Sequence, residues 1–278
     1  MRNIFIENLD CIEFLRTLED CSIDYINVDP PYNIGYDGGD GWDTWPTEDS
    51  YLEWCSEWLQ ECARVLKPKG MLSVWGTQKT DLFFRLKLEV LNKLEGMVGQ
   101  PAIHWSYNWG GRPRNNFAHK FETAWCYSKG PEFYFDRTKV EVERKMKTNI
   151  RTGLPYDNGT IPTTIWEGNL TTASKEAKES NFHPTVKPQF VLQRMINAYC
   201  PEDGTVLDCF SGSGSTALAC LKTDRKFVGC EAKQEYYEKS IERLKLHSST
   251  LTGLFEQSKN NIQGNQALTN SNKINDLQ

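Results

Sequence analysis

"GTVLDCFSGSGSTALACLKTDRKFVGCE", residues 204 to 231, holds in one short stretch a strand, a Gly/Ser loop, a helix, a second strand and an acidic residue. The apolar run ending at Phe210 has the length and bounds of a buried strand. Gly212 and Gly214 permit a tight turn and let backbone approach a ligand closely. Ser215 or Thr216 opens a helix near 215–223, whose first amides are available to a carboxylate or phosphate. "KFVGCE" reads as the next strand, and Glu231 at its end is placed to accept hydrogen bonds from two ribose hydroxyls. This is the logic of a nucleoside-binding crevice at the carboxyl ends of parallel strands. Ala217 stands where the dinucleotide fingerprint has its third glycine, a change that looser forms tolerate, so an NAD-type oxidoreductase remains open on this segment alone.

Working outward, strands and helices alternate. Residues 2–7 predict a strand, "CIEFLRTLED" an amphipathic helix with apolar residues at 12, 14, 15 and 18, and "SIDYINV" a second strand. Residues 36–47, rich in Gly, Asp and Trp, read as a long loop. Thr47 can cap a helix that Pro68 and Gly70 stop, and "MLSVWG" follows as a strand. A helix is expected over 80–95, then "AIHWSYNW" and "FETAWCYS" as paired strands around "GGRPRNNFAHK". Further helices are expected at 187–199 and 233–246. Such alternation predicts an α/β fold, a mostly parallel central sheet with helices on both faces. The pattern weakens from about 131 to 182. The expected organisation is therefore 1–130, 131–182 as a small insert, 183–247, and a polar Asn/Ser/Gln-rich tail at 248–278 that reads as partly disordered.

The 278 residues are 38% hydrophobic and 25% charged, which suits a globular chain with a sizeable core. No apolar run is long enough to span a membrane, and the first residues lack a signal-peptide pattern, so a cytoplasmic protein is expected. Nine cysteines without Cys-x-x-Cys spacing read as buried thiols of a reducing compartment, and four scattered histidines make a metal constellation unexpected. A net charge of −5 argues against a surface that clings to nucleic acid everywhere. A local basic stretch nevertheless exists: Arg112, Arg114 and Lys120, then Arg137, Lys139, Arg144, Lys145, Lys147 and Arg151. Glu141 and Glu143 dilute its later part, where a solvated helix face is the plain alternative.

Two further motifs need an explanation. "VDPPYNIG" (28–35) ends a buried-looking strand with Asp29, Pro30, Pro31 and Tyr32. A turn accounts for Asp-Pro but gives the carboxylate and the ring no task. "HPTVKP" (183–188) opens the helix before the 204–210 strand. It serves as loop punctuation, or with His183, Thr185 and Lys187 as part of a crevice wall.

These three pieces in this order resemble the β group of S-adenosylmethionine-dependent DNA amino-methyltransferases, in which a D-P-P-Y half precedes H-P-T-x-K-P and F-x-G-x-G. "NLDCIEFLRTLEDCSIDYINVDPPYN", "RVLKPKGMLSVWG" and "HKFETAWCYSKG" also look like family blocks. The resemblance covers nearly all of residues 3–246 except about 131–182, and the oxidoreductase reading falls because it leaves the first motif idle.

The resemblance implies a Rossmann-like methyltransferase with permuted motif order that modifies adenine N6 in double-stranded DNA by base flipping. N4-cytosine methylation, whose usual motif is S-P-P-Y, is the alternative. RNA methylation fits the motif order less well, and a catalytically idle nucleic-acid binder would not need the motif residues intact. Asp29 and the Pro30 carbonyl would each accept one amine hydrogen, Asp29 orienting the amine rather than acting as a strong base. Tyr32 would stack on the flipped base, with Trp42 and Trp45 in the loop closing over it. S-adenosylmethionine would be held by Asp10, Asp29, Pro30, His183, Pro184, Thr185, Lys187 and Asp208. Phe210, Ser211, Gly212, Ser213, Gly214, Ser215, Thr216, Glu231 and Ala232 would complete its site, with no metal. The insert and the basic residues from Arg112 to Arg151 would read the DNA. A homodimer and a cognate restriction endonuclease on a separate chain are further implications.

Overall fold

The computed structural model describes residues 4–35, 41–78, 80–108, 110–143, 148, 151, 159–169, 178–183 and 185–247. Arg144, Lys145, Lys147, Pro184 and the tail 248–278 lie outside the described residues. In chain order the elements are β1 (Ile4–Glu7), α1 (Cys11–Thr17), β2 (Ile23–Val28), α2 (Glu48–Val65) and β3 (Leu66–Gly76). The helical stretch α3 (Leu82–Arg85) continues through a π turn (Leu86–Val90) and a 3-10 turn (Leu91–Lys93). Then come β4 (Met97–Ser106), β5 (Phe121–Lys129), β6 (Ile165–Glu167), α4 (Gln189–Tyr199), β7 (Thr205–Asp208), α5 (Ser215–Thr223), β8 (Lys226–Cys230) and α6 (Gln234–His247).

One eight-stranded sheet runs β1-β8-β7-β2-β3-β5-β4-β6. All neighbours pair in parallel except β3 with β5 and β5 with β4. The sheet is thus mostly parallel, as the alternation predicts, and carries an antiparallel meander where "AIHWSYNW" and "FETAWCYS" were expected to pair. Pleating sends alternate residues to opposite faces. Tyr25, Met71, Val206 and Phe227 pack with residues of α4, α5 and α6, while Ile26, Leu72 and Leu207 pack with residues of α1, α2 and α3. Both faces are therefore buried, which is why β2 reads as an almost unbroken apolar run. Among the described residues no helix is long and apolar enough to cross a membrane. Eight of the nine cysteines are buried free thiols, Cys21 being exposed.

Thr47 caps α2 as expected: its hydroxyl accepts from the Ser50 amide at 3.0 Å, and the Thr47 amide donates to the Ser50 hydroxyl at 3.2 Å. The helix buries Tyr51, Leu52, Cys55, Trp58, Leu59 and Cys62, a stripe at three- and four-residue spacing. Two departures are instructive. β3 begins at Leu66, before Pro68 and Gly70, because its register jumps from Ile23↔Leu66 to Tyr25↔Met71. The proline sits in that irregularity, where a ladder donor is not required. The second departure is β6, in the stretch where the sequence pattern is weak. It adds a parallel strand beside β4 and buries Trp166, with the Arg194 guanidinium 5.0 Å from that ring.

Gly229 on β8 faces Asp208 on β7, and a Cβ there would lie 2.4 Å from the Asp208 carbonyl oxygen and 2.7 Å from the Phe227 ring. Backbone of a central strand cannot yield as a surface side chain does. Gly229→Ala is expected to destabilise the fold by about 1–3 kcal/mol, read as a lower urea midpoint at unchanged slope. An unchanged midpoint would show that β7 and β8 part without cost.

Candidate active site

From β2 the chain moves outward to β3, and from β7 it moves the opposite way to β8, so strand order reverses between β2 and β7. Crevices of α/β sheets open at such points, beyond the carboxyl ends of the strands. Here a cavity of about 690 Å³ does so, walled by Asp10, Asp29–Tyr32, Trp42, Glu122, His183, Lys187, Asp208–Ser213 and Glu231. Motifs far apart in sequence share one pocket.

On the β7 side, Gly212 (φ +50°) and Gly214 (φ +72°) turn the chain into α5 in left-handed conformations that favour glycine. The Gly212 amide donates to Glu231 Oε2 at 2.8 Å and the Lys233 amide to Oε1 at 2.9 Å, so Glu231 braces the loop it faces. Burial raises its carboxyl pKa. A Cβ on Gly212 would come within 2.8 Å of His183 Nε2, so the "HPTVKP" segment lies directly against the loop. His183 donates from Nδ1 to the Thr185 carbonyl at 2.6 Å, and burial lowers its pKa. From α6 the buried Arg243 donates to the Ser213 carbonyl at 2.9 Å and to Ser215 Oγ at 3.0 Å. Gln189 holds the Ser215 carbonyl at 2.8 Å.

Asp208, at the end of β7, accepts from Thr216 Oγ1 at 2.7 Å and from the Phe210 amide at 3.0 Å, and burial lifts its pKa to about 7. Asp10 caps α1, accepting from the Ile12 amide at 2.8 Å, and lies on the cavity wall. Ser211 Oγ, also on that wall, is buried with no hydrogen-bond partner among the described residues. An orphaned hydroxyl, a glycine cradle and a carboxylate at a strand end fit a nucleoside-type cofactor carrying hydroxyl and amino-acid groups.

On the β2 side, Tyr51 Oη donates to the Pro31 carbonyl at 2.8 Å, while no hydrogen bond reaches the Pro30 carbonyl among the described residues. Asn33 takes φ +55°, its amide donating to Asp43 Oδ1 at 2.7 Å and its side chain accepting from the Trp45 amide at 2.9 Å. Asp43 Oδ2 accepts from the Ile34 amide at 3.2 Å. Asp43 and Trp45 of the Gly/Trp loop are thereby tied to the motif, and Trp45, Tyr51, Trp54 and Phe210 continue as a chain of ring contacts across to the β7 side. Asp29 accepts from Tyr32 Oη through Oδ1 and from Lys187 Nζ through Oδ2. Burial first, then the Asp29 and Glu122 carboxylates, push the Tyr32 phenol well above its ordinary value. Phe117, at 96% exposure, stands on the 107–120 connection between β4 and β5, both of which end at the cavity.

The basic residues separate. Arg112 and Arg114 are exposed on that same connection, and Lys120 donates to the Gly110 and Gly111 carbonyls at 2.8 and 3.0 Å, shaping it. Arg137 and Lys139 are not brought to the cavity. They pair with Glu141 and with Glu202, and Glu202 precedes β7 at the opposite end of the strands. Arg151 is exposed. Residues that sequence reasoning passed over are Asn27, Asp43, Glu122 and Arg243. Asn27 accepts from Trp75 Nε1 at 3.0 Å and donates to Thr216 Oγ1 at 3.4 Å, joining the two halves. A polar residue inside the apolar run "YINV" is the signal that marks it.

Fold and crevice define a Rossmann-like α/β protein with a nucleoside-type site beside a strand-end carboxylate. The chain matches the DNA methylase family over residues 23–242 and belongs to it, the S-adenosylmethionine-dependent DNA amino-methyltransferases of the N6/N4 type, in the β order of motifs. It is 32% identical over 242 residues to the type II methyltransferase M.HpaI of Haemophilus parainfluenzae, covering 84% of this chain and 72% of that one. Identity to the DNA adenine methyltransferase YhdJ of Escherichia coli is 29% over 250 residues, covering 86% and 82%. Among solved structures, the fold is shared with the cytosine-N4-specific PvuII DNA methyltransferase (TM-score 0.69, 20% identity, 87% of this chain and 86% of that one). It is shared too with M1.HpyAVI in its SAM complex (TM-score 0.60, 23% identity, 87% and 98%).

Asp208 gives a signed pH prediction. Its folded pKa, raised by burial, stabilises the fold below the unfolded value near 3.8, and that contribution is lost as pH rises through about 7. Asp208→Asn should therefore gain stability relative to the wild type between pH 4 and pH 8, measured by denaturant midpoints. A constant gap would place the raised pKa elsewhere. At the loop, Gly212→Ala is expected to weaken S-adenosylmethionine binding in calorimetry by at least tenfold (about 1.4 kcal/mol), through the His183 clash and the positive φ.

Proposed function

We propose that this protein methylates the N6 amine of adenine in double-stranded DNA, holding the base outside the helix during the reaction. The observation that carries this reading is the Asp29 carboxylate at the end of β2, beside the Pro30 carbonyl and on one cavity with Gly212 and Glu231. The similarity to an adenine methyltransferase supports the choice of base, as does an aspartate, rather than a serine, at the head of the motif.

An exocyclic amine is a poor nucleophile because its lone pair is delocalised into the ring. Asp29 has lone pairs left after accepting from Tyr32 and Lys187, enough to take one N–H of the amine. The Pro30 carbonyl is suited to take the other, since proline offers an acceptor with no competing N–H and the Tyr51 bond to Pro31 fixes its direction. Two acceptors on one amine draw it toward tetrahedral geometry and favour the positive charge that develops there. The Tyr32 ring supplies a stacking surface worth about 1–3 kcal/mol per base, against the few kcal/mol that extrusion costs.

S-adenosylmethionine, when bound, supplies an electrophilic methyl group on a sulfonium. The residues that would hold it are Glu231 and Asp10 toward its nucleoside and Ser211 to Thr216 with His183 and Thr185 toward its amino-acid part. Arg112, Arg114 and Phe117, on the connection bordering the mouth, would meet the duplex, the arginines on phosphates and Phe117 as an apolar wedge at the vacated step. The same reading extends to a homodimer in the cytoplasm of a prokaryotic or phage-infected cell, and to a separate restriction endonuclease, the last in keeping with the type II methyltransferase relatives.

Labelled methyl transfer to unmethylated DNA, followed by nucleoside mass spectrometry, is expected to give N6-methyladenine, absent with Asp29→Ala. N4-methylcytosine instead would overturn the base assignment and keep the chemistry. For the mouth, Arg112→Ala/Arg114→Ala should weaken DNA binding on all sequences and lower the salt slope by about 1–2. An unaltered slope would remove these arginines from the interface.

A further inference from the structure

A buried lysine that bridges two carboxylates stands where the reaction develops positive charge. Lys187 Nζ lies 2.5 Å from Asp29 Oδ2, 2.8 Å from Glu122 Oε2 and 3.3 Å from Tyr32 Oη, with its side chain only 6% exposed. It is also 5.4 Å from the Trp75 ring and 5.8 Å from the Tyr32 ring. Asp29 comes from the end of β2, Glu122 from the start of β5, and Lys187 from the turn that leads through Pro188 into α4, so three separate elements converge on one ammonium.

A lysine paired only with Asp29 would cancel its charge. The amine that gains a methyl cation would then meet a neutral wall at the moment it becomes cationic, and the electrostatic gain of a preorganised site would be lost. Asp29 and Glu122 without a lysine would be two like charges facing one another in a partly desolvated site, at an electrostatic cost. Three groups together avoid both outcomes. Resting on the amino-methyltransferase reading above, we propose that Glu122 is a positioning residue for Asp29, acting through Lys187. The triad acts as one unit in which Lys187 bridges both carboxylates and Glu122 supplies the negative charge that Lys187 removes.

The surroundings agree. Burial lowers the lysine's pKa, but Asp29 and Glu122 outweigh it and the net direction is upward, so the ammonium persists. The other titratable groups that feel the triad are Tyr32, Tyr51, Tyr107, His183 and Asp208. The tyrosines are raised and His183 is lowered, in each case chiefly by burial, so all four are neutral near pH 7. Asp208, lifted to about 7 chiefly by burial and in part by Asp29, is coupled to the triad, so variants are compared at pH 8, above its titration.

Steady-state kinetics and denaturation, both at pH 8 on the full-length protein, test the triad. Glu122→Gln is expected to lower kcat roughly ten- to hundredfold with KM for cofactor and DNA unchanged, and Glu122→Asp to recover most of the loss. At pH 8 Lys187→Met should be destabilised, and the Lys187→Met/Glu122→Gln pair less so, a readout free of turnover. Wild-type kcat in Glu122→Gln would overturn the proposal and leave the methyltransferase reading standing. So would a loss confined to KM, or a double variant less stable than Lys187→Met. Absence of transfer by the wild type to any DNA base would overturn both.

Discussion

The parallel pairing of β2 with β7 is the constraint on which the site depends. It is a short ladder, Tyr25 with Val206 and Ile26 with Leu207, yet it sets the ends of two strands side by side that are far apart in the chain. Asn27, one residue further along β2, reaches across to Thr216 at the start of α5, and Thr216 in turn donates to Asp208. This line of buried polar contacts fixes the distance between the Asp29 carboxylate and the Gly212–Gly214 loop. Alignment of reacting groups is where much of an enzyme's rate advantage lies. A mispaired register would flip every side chain on β2 to the wrong face, so the buried packing on both faces guards the alignment.

Much of this was legible in the sequence because the relevant signals are local. Gly212 and Gly214 mark a turn by their freedom at positive φ, Thr47 marks a cap, and the motif order identifies the permuted arrangement. The α5 boundaries, Ser215 and Thr223, agree with the helix predicted near 215–223. What escaped has a common physical origin: it is created by contact across the sheet. Glu122 sits in "FETAWCYS" as an ordinary charged residue at a strand start, and nothing local says that it meets a lysine from another element. Arg243 lies on an amphipathic helix whose pattern assigns charged residues to solvent, yet it is buried against Ser213 and Ser215.

The basic stretch teaches the same lesson from the opposite side. Charge runs record composition, and the fold distributes them. Arg112 and Arg114 travel with a connection that ends at the cavity, whereas Arg137 and Lys139 are carried to the far end of the strands by a segment whose Asp136 amide bonds the Ala198 carbonyl at 2.9 Å. β6 could not be anticipated either, because three residues beside β4 bury one tryptophan and need no periodic pattern of their own.

The order of elements along the chain also has a consequence for how the molecule is made. β1 pairs with β8 and β2 with β7, so two strands made early wait for partners made late. On a ribosome the N-terminal half emerges with β1 lacking the neighbour it has in the folded sheet and one side of β2 open. Chains fold in synthesis order as far as their contacts allow, and such distant pairings bear the largest loop-closure cost. The crevice is thus among the last features to form. Until β7 and β8 slot in, the strand leading to Asp29 has no glycine loop beside it, and the incomplete chain exposes sheet edges that chaperones and neighbouring chains can recognise.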